Sequence, residues 1–468
     1  MTAAAHLAAL WTAAGGDLAA LDQVALTGCD PAVPSSFRIG TAAQAAIAAA
    51  GLAAAEIWRA RGGGRQRLGV DIRHAAMAFA SERHLRIAGR DPPATWDAIA
   101  GVYPTGDGRM VRLHTNFAHH RDAVLGVLGC APDRAAVGAA LAGWTAAAFE
   151  AAAIEAGGVV AMLRSQAEWD SHPQSAAVAG LPLIEITRIG PADPRPLPPI
   201  DPSAAAAPLA GLRVLDLSRV IAGPVAGRSL AAHGAEVMLI SAPHLPLIEW
   251  LMIDTGRGKR SAHLDLRSEA GRAALVGLLR TADIFSQGYR PQALAGLGLA
   301  PEDLARLRPG IVVASLSAYG RRGPWAGRRG FDSLVQAATG FNLAEAAAAG
   351  TPPPRELPVQ AIDHATGYLM ACGAMLARAR QAREGGSWHV QVSLARTGHW
   401  LRGLGRVEHG FGVARPAAAD HPDWFETFDS PFGQVTAVRH PADLSDTPAR
   451  WARGPVPPGH DAPRWPGA

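Results

Sequence analysis

The stretch LRVLDLSRVIAGPVAGRSLAAHGAEVMLIS, residues 212–241, decides the fold. Its first seven residues, LRVLDLS (212–218), form a short apolar run without clean alternation, the pattern of a strand buried on both faces of a parallel sheet. A loop, RVIAGP, leads into the helix-forming run VAGRSLAAHG, and Gly234 suits the left-handed residue that ends a helix. AEVMLIS (235–241) then reads as a second strand. Strand, helix and strand over about 30 residues make a βαβ unit.

The same alternation continues downstream. A helix predicted at 268–280 leads to ADIFSQ (282–287), and another at 301–307 leads to GIVVASLSAYG (310–320). Strands alternating with helices predict an α/β fold built on a doubly wound, Rossmann-like parallel sheet. Ligands of such sheets sit beyond the carboxyl ends of the strands. Here those ends are the loops 218–224, 241–246, 288–291 and 317–324.

Upstream, GPADPRPLPPIDPSAAAAPLAG (190–211) has linker composition. Ahead of it, VYPTGDGRMVRLHTN (102–116) alternates around Asp107-Gly108 and predicts a hairpin with a primed turn. Helical patterns follow at 119–130 and 133–156, so this part reads as a smaller α+β domain. The expected organisation is thus 1–189, a linker at 190–211, a main domain at 212–428 and a tail at 429–468.

Totals narrow the class. The 468 residues suggest about three domain-sized units, and 49% hydrophobic with 18% charged residues is ordinary for a soluble protein. The net charge of +4 is mild and no Lys/Arg block resembles a nucleic-acid arm, so no nucleic-acid partner is expected. The start MTAAAHLAALW lacks the features of a signal peptide, and the run Ala42 to Ala55 is too weakly apolar for a membrane span. Cys29, Cys130 and Cys372 show no pairing or metal spacing, which suits a reducing cytoplasm. His114, His119 and His120 invite a metal reading, but no Cys or acidic ligand stands at a recognised spacing, so none is predicted.

Of the 44 basic residues only Lys259 is a lysine. It stands in TGRGKRSAHLDL, where a compact point charge would suit a phosphate; a compositional bias toward arginine accounts for it equally well. In AIDHATGYLMACGAMLARAR (361–380), Asp363 opens an apolar helical run and reads either as a helix cap or as a chemical group. A weak internal repeat bears on that choice. Residues 38–75 are similar to 361–397 at a constant offset that pairs Val70 with Val392 and sets Thr41 opposite Asp363. Threonine would cap a helix nearly as well, which is compatible with a special role for Asp363.

Residues 210–400 resemble the family III CoA-transferases, a group that includes formyl-CoA transferase, the carnitine CoA-transferases and α-methylacyl-CoA racemase. The matching segments are GLRVLDLSRVIAGPVAGRSLAAHGAEV, GRGKRSAHLDL, ADIFSQGYRP, SLSAYGRRGPWAG, GFDSLVQAATG and DHATGYLMACGAML. Residues 38–185 resemble the small-domain segment that normally follows the catalytic helix, here in displaced order, and 429–463 resembles the family's C-terminal end. The chain therefore looks like a fused pair trimmed at its front or a rearranged single copy.

The resemblance implies transfer of CoA from an acyl-CoA to a small carboxylic acid, with Asp363 as nucleophile. The thioester is a substrate, and no cofactor is implied. It points to Ile221, Ala222, Arg257, Gly258, Lys259, Gly288, Tyr289, Arg290, Ser317 and Tyr319 for CoA, and to a homodimer; family members form interlocked ones. His364 stays outside the implied set. The chain departs from the family pattern at Ser241, where many members carry glutamate, at Gly288, where asparagine is usual, and at Phe331, where racemases carry histidine. Phe331 cannot move a proton, so racemization ranks below transfer. A non-catalytic CoA-binding paralogue is the alternative of a different class.

Overall fold

The computed structural model describes residues 1–93, 96–201, 205–290 and 292–467. Residues 202–204 of the expected linker, and Pro291 of the loop 288–291, lie outside the described residues. In chain order, the elements that build the site are these. The N-terminal half carries β1 (Val24–Thr27), α1 (Ile39–Ala60), β2 (Leu68–Asp71), α2 (Ile72–Ala78) and the single turn α3 (Ser81–His84). It continues with β3 (Gly101–Pro104), β4 (Met110–Leu113), β5 (Val160–Met162) and β6 (Glu185–Gly190). The second half carries β7 (Arg213–Leu217), α4 (Ala222–Ala232), β8 (Glu236–Ser241), β9 (Lys259–His263), β10 (Ile284–Gln287) and β11 (Val312–Ser317). It closes the site with α5 (Asp332–Ala338), α6 (Ala361–Glu384), β12 (Ser387–Ser393) and α7 (Leu394–Gly403).

Seven strands form the central sheet in the order β9-β8-β7-β10-β11-β12-β6. The first six are parallel, and β6 pairs antiparallel with β12 at the edge. The strand order reverses between β7 and β10, which register Val214 against Ile284. A crevice opens at such a reversal because the flanking connections leave toward opposite faces. The expected α/β class and doubly wound sheet are what the chain adopts.

The boundary at 189 does not separate two packed bodies. β6, from ahead of the expected linker, is a strand of the main sheet. One apolar core runs from Ile39, Ile47 and Leu68 to Val214, Val312 and Leu369. The tail also folds back, its hairpin Phe425–Ser430/Gly433–Val438 pairing with Arg86–Ile87. Residues 99–162 have a core of their own, which includes Tyr103, Val111, Leu113, Val124 and Phe149.

Two local expectations change. The β3–β4 connection closes with Thr105 N–H donating to Arg109 O at 2.9 Å and Gly108 N–H to Thr105 O at 3.0 Å. Only Gly108 has positive φ, at +74°, so this is a three-residue loop ending on a left-handed glycine, not a primed two-residue turn. The helical stretch 133–156 breaks into Arg134–Leu141 and Ala146–Glu155, because Thr145 accepts from Ala148 N–H and starts a new helix.

The repeat is structural. α1 and α6 begin 322 residues apart, at Ile39 and Ala361, and α2 and α7 do likewise, at Ile72 and Leu394. Parallel pairs β1–β2 and β11–β12 accompany them. α1 packs along α6, so the two copies face each other within one chain. By length and composition α1 is apolar enough to cross a membrane, more than its alanines suggested, yet 89% of that stretch is buried inside the protein.

Gly367 sets how closely α4 approaches α6. A Cβ there would lie 2.5 Å from Ala222 O and 2.8 Å from Val225 Cβ. Gly367→Ala is therefore expected to lower stability by about 1–3 kcal/mol through overpacking, read by a thermal melt. An unchanged melting temperature would mean that α4 is not held at this distance.

Candidate active site

Two cavities adjoin beyond the carboxyl ends of the strands. The larger, about 320 Å³, lies at the β7/β10 reversal and is lined by Ser218, Arg219, Gly288, Tyr289, Arg290 and Ser317, among others. Arg328 and Arg329 add further cations, and among the described residues no aspartate or glutamate lines this space. Arg328 is paired with Glu150 at 2.9 Å. Arg219 lies over the Phe117 and Tyr289 rings and donates to Pro246 O. A cavity with this charge favours a polyanion such as a phosphorylated cofactor.

The smaller cavity, about 160 Å³, holds Asp363. Val220 and Phe331 line both spaces, so they mark the junction. Val220 is a β-branched residue at φ +74°, a conformation that such side chains rarely adopt and that a fold retains only under local constraint.

Asp363 occupies the first turn of α6 without capping it. The cap is Asp332, at the start of α5, whose Oδ2 accepts from Asp363 N–H at 2.9 Å; Ile362 N–H also donates to this carboxylate. Gln336 Nε2 donates to the other oxygen of Asp332. The equivalent start of α1 is served in the same way. There Asp30 accepts from Gly40 N–H at 3.0 Å, from Thr41 N–H at 2.9 Å and from Thr41 Oγ1 at 2.7 Å. In each copy a remote aspartate satisfies the helix, so a carboxylate at position 363 is not needed for that purpose. No described residue donates a hydrogen bond to the Asp363 side chain, which is 95% buried against the cavity.

Burial, then the Asp332 and Glu82 carboxylates, hold the Asp363 carboxyl well above its ordinary value. Asp332 is raised as well, by burial, but its hydrogen-bond donors favour its charge over that of Asp363. His364 is buried, not exposed, with Nε2 3.2 Å from Glu82 Oε2 and its ring stacked on Phe79. Burial alone would raise Glu82; hydrogen bonding and charge from His364, with Arg83, bring it below its ordinary value.

Of the residues expected at the ligand, Gly288, Tyr289, Arg290 and Ser317 meet in the larger cavity, and Ile221 joins Asp363 in the smaller. Ala222 begins α4, buried behind them, and Tyr319 is buried against Trp325 outside both cavities. Arg257, Gly258 and Lys259, expected at CoA, line neither cavity. Arg257 donates to Asp254 Oδ1 at 2.8 Å and to Val438 O at 2.6 Å. Gly258 turns at φ +76° against Trp451. Lys259 Nζ is 2.7 Å from Asp216 Oδ2 and 2.8 Å from Pro224 O, and is 99% buried. Lys259 opens β9 at its amino end, whereas the cavities lie at the carboxyl ends.

Sequence reasoning missed Arg219 and Arg329 and, from the N-terminal half, Glu82, Trp96 and Phe117 among others, and it weighed His114 only as a metal ligand. Arg219 directly follows LRVLDLS, so a strand-end rule would have found it. The N-terminal residues carry no local signal of this site, because tertiary packing, including that of β4 and β5 on α5, brings them here.

An α/β protein with an arginine-lined crevice opening onto a free, buried aspartate is the class defined so far. Residues 209–424 match the model for CoA-transferase family III. A "Probable fatty acyl-CoA transferase" of Mycobacterium tuberculosis is 34% identical over 205 residues, 41% of this chain and 52% of that protein. An acetyl-CoA:oxalate CoA-transferase of Acetobacter aceti is 31% identical, over 49% of this chain and 64% of that one. A succinate–glutarate CoA-transferase of Agrobacterium fabrum is 32% identical, over 40% and 51%. The chain thus spans from about half to under two thirds of the length of these relatives. Among solved structures, a hypothetical protein of M. tuberculosis is 33% identical with a TM-score of 0.39, covering 43% of this chain and 58% of that one.

Proposed function

We propose that the chain is an acyl-CoA:carboxylate CoA-transferase working through covalent aspartyl intermediates at Asp363. The observation that carries this reading is a carboxylate relieved of capping by Asp332 and turned to a cavity that adjoins the arginine-lined crevice. CoA would occupy the crevice as part of the substrate, with its acyl group in the smaller cavity. No further cofactor is invoked. The N-terminal half lines both spaces, so one chain completes the site; pairing into a cytoplasmic homodimer would be additional to it.

An Asp363 oxygen attacks the thioester carbonyl; the C–S bond breaks, leaving an acyl-aspartyl anhydride and CoA thiolate. The thiolate attacks the aspartyl carbonyl, releasing the donor acid and leaving an aspartyl-CoA thioester. The acceptor carboxylate attacks that thioester, giving a second anhydride, and the thiolate then takes the new acyl group and restores Asp363. Such covalent steps divide one difficult exchange into easier ones. The apolar wall from Ile248, Trp250 and Leu251 keeps water from the anhydride.

The test is peptide mass spectrometry after incubation with several acyl-CoAs, with hydroxylamine as trap. A CoA-dependent modification on the Asp363 peptide, absent in Asp363→Asn, is expected. CoA binding without modification by any donor would favour a binding protein instead.

The pH dependence is a further expectation. Attack needs the ionised carboxylate, and Asp363 is held above the ordinary range, so adduct formation rises with pH through that raised value. Asp332→Asn removes the adjacent negative charge, and the rise should move to lower pH. A curve that stays in place would mean the neighbouring charge does not govern Asp363.

A further inference from the structure

The proposed chemistry places a tetrahedral oxyanion at the junction of the two cavities, because CoA and the acyl group lie on either side of it. This inference rests on that reading. A helix N-terminus would ordinarily supply the donors for such an oxyanion. Here it does not: Asp332 takes the N–H groups of Ile362 and Asp363, Ala361 N–H donates to Val359 O, and His364 N–H donates to Gln360 O. The donors must come from elsewhere on the wall.

Several polar side chains of the smaller cavity are already engaged. Glu82 pairs with His364, Arg83 donates to Pro358 O, and Asn116 accepts from Asp97 N–H. Two are different. His114 and Ser333 are 96% and 95% buried, and His114 Nδ1 and Ser333 Oγ have no hydrogen-bond partner among the described residues. A buried polar atom without a partner costs free energy, so a fold retains it where a ligand completes it. Both residues line the Asp363 cavity. His114 also stacks on Phe331, with ring centroids 3.9 Å apart and planes within 12°, which fixes the imidazole beside the junction. Ser333 follows Phe331 by two residues at the start of α5.

We propose that His114 Nδ1–H and Ser333 Oγ–H donate hydrogen bonds to the thioester carbonyl oxygen and stabilise its negative charge as Asp363 attacks. No proton is transferred by either group. Burial, with Arg112 nearby, holds the imidazole down to about 3, so it serves as a neutral donor throughout the working range. His114 reaches the site from the N-terminal half and Ser333 from the second half.

The test is single-turnover formation of the trapped Asp363 adduct in the full chain, with acyl-CoA affinity measured in parallel. His114→Phe keeps the ring stack and removes the donor; Ser333→Ala removes the hydroxyl. Each is expected to slow adduct formation by about 10²–10³-fold with acyl-CoA affinity unchanged. His114→Gln, which restores a donor, should recover part of the rate, and the pH profile should keep its wild-type shape. Wild-type rates in the His114→Phe/Ser333→Ala double variant, or parallel losses of rate and affinity in all variants, would overturn the assignment. Failure of the wild-type chain to form any adduct would overturn the transferase reading itself, and this inference with it.

Discussion

Asp363→Asn is expected to abolish the acyl-CoA-dependent modification and, at the same time, to make the protein more stable. The loss follows from chemistry: an amide cannot attack a thioester and return the acyl group, and removing a nucleophile costs on the order of 10³-fold or more. The gain follows from electrostatics. Asp363 is buried, receives no hydrogen bond from a described residue and faces two further carboxylates. A neutral isostere avoids that repulsion, and about 1–3 kcal/mol is expected at neutral pH. Because the folded-state value of Asp363 is raised, its carboxyl is tolerated below the unfolded-state value and becomes a liability as pH climbs through the folded one. The variant's advantage should therefore be small in acid and grow toward neutrality in denaturant melts. A pH-independent difference would refute the account of a strained charge.

Lys259→Met is expected to destabilise the fold by about 3–5 kcal/mol, since it leaves Asp216 buried without its cation. Asp216 is fully buried in β7 and has Ser218 Oγ–H as a remaining donor. Gly227 leaves the room this pair needs, as a Cβ there would stand 2.3 Å from Asp216 Oδ2. Replacing both partners, Lys259→Met with Asp216→Leu, should recover much of the loss, because an apolar pair of similar volume carries no desolvation penalty. Chemical denaturation checks both. If Lys259→Met melts normally but loses CoA affinity, the lysine serves the ligand after all.

The central sheet was legible because strands buried on both faces leave continuous apolar runs, and glycines such as Gly234 punctuate them. Asp363 stands out in the sequence because the repeat sets it opposite Thr41. The residue that caps α6 does not: Asp332 lies 31 positions upstream, on another helix. Glu82 and the place of His114 beside Phe331 were equally hidden, since both are set by tertiary packing. The ion pair of Lys259 was hidden for a different reason. GRGKR has the composition of a phosphate loop, but direction along a parallel strand decides which end meets the ligand, and this lysine opens its strand. The β3–β4 turn failed at the level of one dihedral angle, because Gly alone, and not Asp-Gly, took positive φ.

The confinement of Lys259 has a chemical consequence for the rest of the molecule. Thioesters and anhydrides acylate free side-chain amines, and under the proposed function this chain spends its working life beside both. Its single side-chain amine is sealed inside an ion pair, and its other fixed cations are guanidiniums, which stay protonated and are poor nucleophiles. Spent acyl groups therefore find no exposed lysine on which to accumulate as amide adducts.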